Sequence, residues 1–217
     1  MLSLTAGWSG VKDFLKRIVR WRVAPRWYLL VLGLPLALTA GASALTARVS
    51  GSAPTWERMP PLSELPATFV FIFLVIGLGE EPAWRGYALP RLLAGRPVLV
   101  GGLLLGLLHG VWHLPLFGLE YDSQNALPWF LSLLAFTVVT TWLYHRTSGN
   151  LLLPSLMHTS VNVSAKYLFL SLFSAADALR LWWIFAALWW VSATVVIVAT
   201  GRNLGRRDAG GNDGIAH

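Results

Sequence analysis

The chain is 217 residues long, and 55% of the residues are hydrophobic while only 12% are charged, about half the charged fraction of an ordinary soluble domain. Because this number of charges is too small to cover a water-facing surface, the composition excludes a soluble globular domain and indicates a membrane protein. Cysteine is absent, which excludes disulfides, thiolate metal sites and a cysteine nucleophile. The net charge is +7, but the basic residues lie outside the apolar segments, so we expect no nucleic-acid partner.

The N-terminal region is basic and amphipathic. We interpret residues 1–26 as a juxtamembrane segment whose helix places Phe14 and Ile18 on an apolar face. Such a helix lies in the membrane interface and favours anionic lipids, so membrane lipids are expected partners. Its basic residues are Lys12, Lys16, Arg17, Arg20, Arg22 and Arg26.

Residues 27–200 carry the apolar segments. A transmembrane helix needs about 20 mostly apolar residues, and the second candidate spans only if its helix continues past Glu80 and Glu81 to Arg91. We therefore predict an all-α fold, a polytopic transmembrane helical bundle of about six spans preceded by the interfacial amphipathic helix. The predicted spans are Trp27–Thr46, Pro66–Arg91, Val98–Leu119, Leu127–Tyr144, Leu151–Phe173 and Leu181–Thr200.

The distribution of charge predicts the orientation. Arginine and lysine precede the first span and follow the second, fourth and sixth, whereas the other connections are mixed or acidic. The positive-inside rule therefore places both termini in the cytoplasm, with the bundle in the cell membrane. Residues 201–217 are polar and contain several glycines, so we predict a disordered cytoplasmic tail.

Ionisable residues inside a bilayer are costly and usually functional, and three of the predicted spans contain them. The second span holds Glu80, Glu81 and Arg85, and Glu81 and Arg85 share a helix face because they stand four residues apart. Two adjacent carboxylates at membrane depth are costly to ionise together, because they repel one another and lose their hydration. An arginine that keeps Glu81 ionised leaves Glu80 as a candidate general base. The alternative is an interfacial ion pair that ends a short helix.

Two further pairs have the same spacing of four: His109 with His113, and His158 with Asn162. Two histidines on one helix face are typical of metal ligands, although the HExxH motif is absent. An imidazole with an amide one turn further suits holding a water or stabilising an oxyanion. The alternative for each pair is a core side chain bonded to a neighbouring helix. Because the other three spans hold no such group, we expect the pairs to converge on one pocket.

The three pairs do not lie at equal depth when residues are counted along straight helices. His113 is further into its span than His158 is into its own, by about 10 Å at 1.5 Å per residue. Helix tilt or a break at Pro82 must bring the pairs together.

These motifs, in this order, resemble the CAAX-processing and bacteriocin-processing (CPBP, or Abi) family of intramembrane proteases, which includes the type II CAAX prenyl endopeptidases. The family pattern is EExxxR, then an aromatic residue four positions before a histidine, then HxxxN or HxxxD. His109 stands where the aromatic is usual, which leaves its role open, as a substitute or an additional site residue. The similarity covers about residues 66–165. The matching residues are Glu80, Glu81 and Arg85, then His113, then His158 and Asn162.

The resemblance implies an endopeptidase that cuts membrane-associated or lipidated peptides or proteins. Glu80 would activate a water with help from His113, and His158 and Asn162 would stabilise the oxyanion. The remaining two motif residues, the predicted ion pair, would set the electrostatics of the site.

The cofactor and the activity itself have alternatives. The family is commonly labelled metalloprotease, which makes Zn²⁺ a candidate cofactor with Glu80, His113 and His158 as ligands. Glutamate and histidine already supply acid–base groups without a metal. The alternative function is a non-proteolytic membrane protein, either an ion or ligand transporter or an immunity or accessory scaffold, that uses the same polar cluster for binding.

Overall fold

The computed structural model describes residues 2–119, 121–168 and 172–206, with side chains from residue 7 onward. Within these ranges the regular elements are helices, joined by short 3₁₀ turns and one isolated backbone bridge. The predicted all-α polytopic bundle is confirmed. The helices are α1 Leu2–Ile18, α2 Pro25–Ser50, α3 at 65–92, α4 Val98–His113, α5 Ala126–Arg146, α6 Leu152–Leu168 and α7 Ala175–Thr200.

Helix α3 is irregular and alternates between α-helical and π-helical geometry. Pro82 and Pro90 lie within it, and a proline has no N–H to donate to the preceding turn, which favours a local change of helix type. Short π-helical segments are frequent at functional sites. The successive segments are α-helical Leu65–Ile72, π-helical Phe73–Gly77, α-helical Leu78–Glu81, π-helical Pro82–Ala88 and α-helical Leu89–Leu92.

Five helical stretches in the described residues are long and apolar enough to cross a membrane: Pro25–Ser50, Trp56–Leu92, Val98–Leu116, Ser123–Arg146 and Ala175–Thr200. The remaining predicted span forms α6, which has 17 residues and is therefore about 25 Å long. This is shorter than a hydrocarbon core of about 30 Å. Helix α6 packs against α2, α3 and α5, so most of its surface is covered by protein.

The core is built around α5 and α6. Helix α5 packs against α4 and α7, and the rings of Phe136 and Trp189 meet edge-on with centroids 5.4 Å apart. Hydroxyl groups join α2 to α6, since the side chains of Thr39 and Ser164 lie 3.1 Å apart. Polar contacts of this kind hold helices together where there is no hydrophobic driving force. Helix α6 is therefore fixed in position on several sides.

Helices α2, α4 and α6 begin, and α3, α5 and α7 end, at one end of the bundle. We call this the arginine-rich end, because it carries Arg26, Arg96, Arg146, Arg202 and Arg206. The alternation follows from the short connections between successive antiparallel helices.

Two peripheral segments dock at the arginine-rich end. Arg17 at the end of α1 donates to the Tyr144 hydroxyl at 2.9 Å. After α7, a turn folds back so that the Leu99 N–H donates to the Arg202 carbonyl at 2.9 Å, and Leu204 is fully buried. The rest of the predicted tail, residues 207–217, lies outside the described residues.

Candidate active site

The two glutamates of α3 divide the site into a closed half and an open half. In the closed half, Glu81 and Arg85 are completely buried, and Arg85 Nη1 donates to Glu81 Oε1 at 2.7 Å. The predicted ion pair is therefore present. Arg85 also donates through Nη2 to the Thr140 hydroxyl at 2.6 Å, and its guanidinium lies 5.5 Å over the Phe136 ring. A buried ion pair needs such contacts because they replace its lost hydration.

His158 of α6 completes the closed half. Its Nδ1 lies 2.9 Å from Glu81 Oε1, the oxygen that also accepts from Arg85. An ionised carboxylate only accepts, so Nδ1 carries the proton and Nε2 is left for other partners. Asn162 lies one turn further along α6, and its Nδ2 donates to the His158 carbonyl at 3.0 Å.

Glu80 forms the open half, since its side chain is 26% exposed. Its Oε2 accepts from the Trp84 indole N–H at 3.3 Å and lies 3.1 Å from His109 Nε2. The Trp84 and His109 rings pack with centroids 4.7 Å apart. Both hydrogen bonds hold the same carboxylate oxygen, so the other oxygen can accept from a water or a substrate.

His113 lies one turn beyond His109 on α4. Its Nδ1 donates to the His109 carbonyl at 3.0 Å; since a carbonyl only accepts, Nε2 carries a free lone pair. One carboxylate oxygen of Glu80 and one ring nitrogen of each histidine lie within 4.8 Å of one another. Atoms at this spacing can hydrogen-bond to one shared water.

The same three residues form a group that could hold a metal ion. This group differs from the predicted ligands, since it contains His109 in place of His158. Two imidazoles and a carboxylate are a common donor set for catalytic zinc, and His113 has the N–H to carbonyl bond that usually orients a ligating histidine. The residues therefore fit Zn²⁺ in type and proximity. His109 Nδ1 has no hydrogen-bond partner among the described residues.

A cavity of about 90 Å³ lies beside the histidines, large enough for roughly three water molecules. Its polar wall consists of His109, His113, His158 and Asn162. Every predicted residue on α4 and α6 therefore lines one space. The facing wall is aromatic and includes Tyr121, Trp129, Phe136, Trp182, Phe185 and Trp189.

Comparison with known proteins connects this site to a family. Residues 62–164 match the family described as type II CAAX prenyl endopeptidase Rce1-like. The predicted resemblance to type II CAAX prenyl endopeptidases is confirmed. A CAAX prenyl protease 2 from Methanococcus maripaludis is 24% identical to this chain in an alignment 176 residues long, and the match covers 72% of the chain and 62% of the relative. The chain thus spans less than two thirds of the length of that curated relative.

The matched region, residues 62–164, contains one close approach between α3 and α6. A Cβ at Gly77 would lie 2.6 Å from the Thr159 hydroxyl oxygen and 2.8 Å from the Ser155 carbonyl oxygen. Only glycine permits this distance between the two helices. Gly77 lies one turn before Glu81, so it helps to set the separation of Glu81 from His158.

Three residues that contact Glu80 or Arg85 in the candidate site were not predicted from the sequence: Trp84, Thr140 and Phe136. Trp84 stands four residues after Glu80, so the spacing that identified the other pairs could also have found it. Thr140 and Phe136 lie in an apolar helix where such residues are common, and nothing in their pattern distinguishes them from packing residues.

Proposed function

We propose that this chain is an intramembrane endopeptidase that hydrolyses peptide bonds of membrane-associated substrates with a glutamate-activated water. The observation that carries the proposal is the grouping of Glu80, His109 and His113 within 4.8 Å, beside a cavity lined by His158 and Asn162. The match to type II CAAX prenyl endopeptidases and the name of the Methanococcus relative, a CAAX prenyl protease, favour the same reaction class.

Glu80 is the general base in this proposal. A water held between its free carboxylate oxygen and His113 Nε2 gives a proton to Glu80, and the resulting hydroxide attacks the scissile carbonyl. His109 and Trp84 hold the other carboxylate oxygen and so keep Glu80 oriented. The proton then passes from Glu80 to the leaving amine, and no covalent intermediate is needed.

His158 and Asn162 stabilise the oxyanion. Glu81 accepts from His158 Nδ1, so that Nε2 is directed away from Glu81. The proposed role requires the imidazolium form, in which Nε2 also carries a proton and donates to the oxyanion in the cavity that His158 lines. A carboxylate behind an imidazole orients it in this way in other hydrolytic sites. Arg85 keeps Glu81 ionised, and preorganised groups of this kind lower the barrier without rearranging during the reaction.

The same residues support a metal-dependent form of this function. Glu80, His109 and His113 would hold the ion, and bound Zn²⁺ would polarise the carbonyl and acidify the attacking water. Metal analysis of the purified protein and activity after chelation distinguish the two forms. Stoichiometric zinc together with activity lost on chelation would establish the metal-dependent form, and full activity without metal would exclude it.

The proposed substrate is a lipidated or otherwise membrane-anchored peptide. An apolar groove of about 630 Å³ lies between α2, α3 and α6 and includes Leu36, Phe69 and Val163. Its volume is in the range of ligand pockets, and Val163 follows the site residue Asn162 directly. A hydrocarbon chain in this groove would hold a substrate beside the helix that carries His158.

The proposed location is the cell membrane, with both termini in the cytoplasm. The arginine-rich end supports this orientation through the positive-inside rule. Helix α1 docks there with Trp8 and Leu15 exposed, which supports the interfacial role proposed for residues 1–26. Lipids and a peptide or protein substrate are the proposed partners.

The test is cleavage of a farnesylated reporter peptide and its unlipidated twin by the full chain in liposomes, with products identified by mass spectrometry. Glu80→Gln removes the base at constant shape, so we expect kcat to fall about a hundredfold or more. Glu57→Gln, at an exposed position outside the site, should retain the wild-type rate. Undiminished cleavage by Glu80→Gln would exclude Glu80 as the base. Binding without cleavage by the wild type would favour the non-proteolytic function.

A further inference from the structure

The arginine-rich end contains a cavity of about 920 Å³ that shares no lining residue with the cavity of the candidate active site. Three arginines from separate parts of the chain line it: Arg26 at the start of α2, Arg146 at the end of α5, and Arg206 after α7. Three arginines from separate segments therefore border one concave space.

These arginines have no carboxylate partner in the described part of the chain. None of the residues lining the cavity is acidic, and none of the three arginines takes part in the described salt bridges. Arg180 at the start of α7 differs, since it pairs with Asp177 at 2.8 Å. The positive charges of arginines that border one cavity repel one another, and a bound anion reduces that repulsion.

Two further residues, His145 and Gly205, also line the cavity. Gly205 adopts a φ of 68°, and a Cβ there would lie 3.0 Å from Arg146 Cδ, so glycine lets the turn after α7 pack on the Arg146 side chain.

The basic surface continues into an adjoining cavity of about 310 Å³. The two cavities share Arg206, and the second one adds Arg96 and Arg202. Arg26, Arg96, Arg146, Arg202 and Arg206 thus line two adjoining cavities, which together form one basic recess.

We propose that this recess binds an anionic phosphate group, supplied either by the headgroup of an acidic phospholipid or by free phosphate. The planar guanidinium matches the geometry of phosphate oxygens and binds them in a bidentate manner. Basic pockets between transmembrane helices bind lipid headgroups in this way. Because the arginines belong to α2, α5 and the turn after α7, the ligand joins three segments and stabilises the folded state.

The experiment measures the Tm of the full chain in a neutral detergent during titration with three probes: dioctanoyl phosphatidylglycerol, dioctanoyl phosphatidylcholine and inorganic phosphate at constant ionic strength. We expect phosphatidylglycerol, phosphate or both to raise Tm, and phosphatidylcholine to have no effect. The double variant Arg146→Gln/Arg206→Gln should weaken the apparent affinity about tenfold or more, because two charge-assisted contacts are lost.

The matched control is Lys12→Gln/Arg22→Gln, which removes the same charge from exposed positions that do not line the recess. It should bind like the wild type. Stabilisation by phosphatidylglycerol alone identifies a lipid headgroup, and equal stabilisation by phosphate identifies the free anion. The charge-conserving Arg146→Lys/Arg206→Lys should retain part of the affinity. Wild-type affinity in the double glutamine variant, an equal loss in the control, or no Tm shift for the wild type would overturn the proposal.

Discussion

Glu80 and Glu81 are adjacent in the sequence but occupy contrasting surroundings. Glu81 is completely buried and shares one oxygen between Arg85 and His158, whereas Glu80 is 26% exposed and contacts His109 and Trp84. Successive residues on a helix point about 100° apart, so one dipeptide serves both a packed interface and an open pocket. The comparison teaches that a buried carboxylate in an ion pair and the carboxylate proposed as the base differ here in their partners and exposure, and not in their residue type.

The largest effect on stability should come from Glu81→Ala. The substitution leaves Arg85 fully buried without its carboxylate, so we expect the free energy of unfolding to fall by about 3–5 kcal/mol. Unfolding in mixed micelles, followed by circular dichroism during SDS titration, measures this loss. Glu80→Ala is the matched comparison, and its partly exposed side chain should cost less than about 1 kcal/mol. Similar losses for both variants would remove the distinction between the two halves.

An intermediate effect is expected from Gly77→Ala. The new Cβ would overlap with α6 at Thr159 and Ser155, and such overpacking typically costs about 1–3 kcal/mol. It should also lower peptide cleavage, because it moves Glu81 relative to His158. Gly79→Ala is the control two residues away, where nothing lies within 4 Å. A stable, fully active Gly77→Ala variant would show that the close approach is not required.

The smallest effect should distinguish two variants at His109. In His109→Phe the aromatic ring remains but the hydrogen bond to Glu80 is lost, so we expect kcat to fall about tenfold. His109→Gln can still donate to Glu80 and should lose less. Steady-state kinetics with the reporter peptide measure both rates. A wild-type rate in His109→Phe would mean that His109 only fills the place of the aromatic residue.

Much of the architecture was predictable from the sequence because a bilayer imposes strict rules. The apolar segments, and the ionisable residues within them that are costly to place in a bilayer, can be identified from the sequence. The spacing of Glu81 and Arg85 predicted their ion pair. The change of helix type in α3 was not predictable, since it depends on how each backbone group finds a partner in three dimensions. The contribution of Thr140 was hidden for a similar reason, because only packing brings its hydroxyl to Arg85.

The apparent difference in depth between His113 and His158 is explained by His109. It lies one turn closer to the arginine-rich end than His113, about 6 Å at 1.5 Å per residue. Its ring centroid is 4.9 Å from that of His113 and 5.8 Å from that of His158. The sequence could not reveal this bridging position, because both histidines of α4 share one face and only distances separate their roles.

The contact between Glu81 and Arg85 has a consequence for how such sequences can diverge. A substitution at either position alone leaves the other charge buried without a partner, which destabilises the fold. The two residues should therefore be replaced together or kept together. Glu80 carries no such mutual dependence. Under the proposed mechanism, lineages that lose catalysis but keep the fold are therefore expected to lose Glu80 before Glu81.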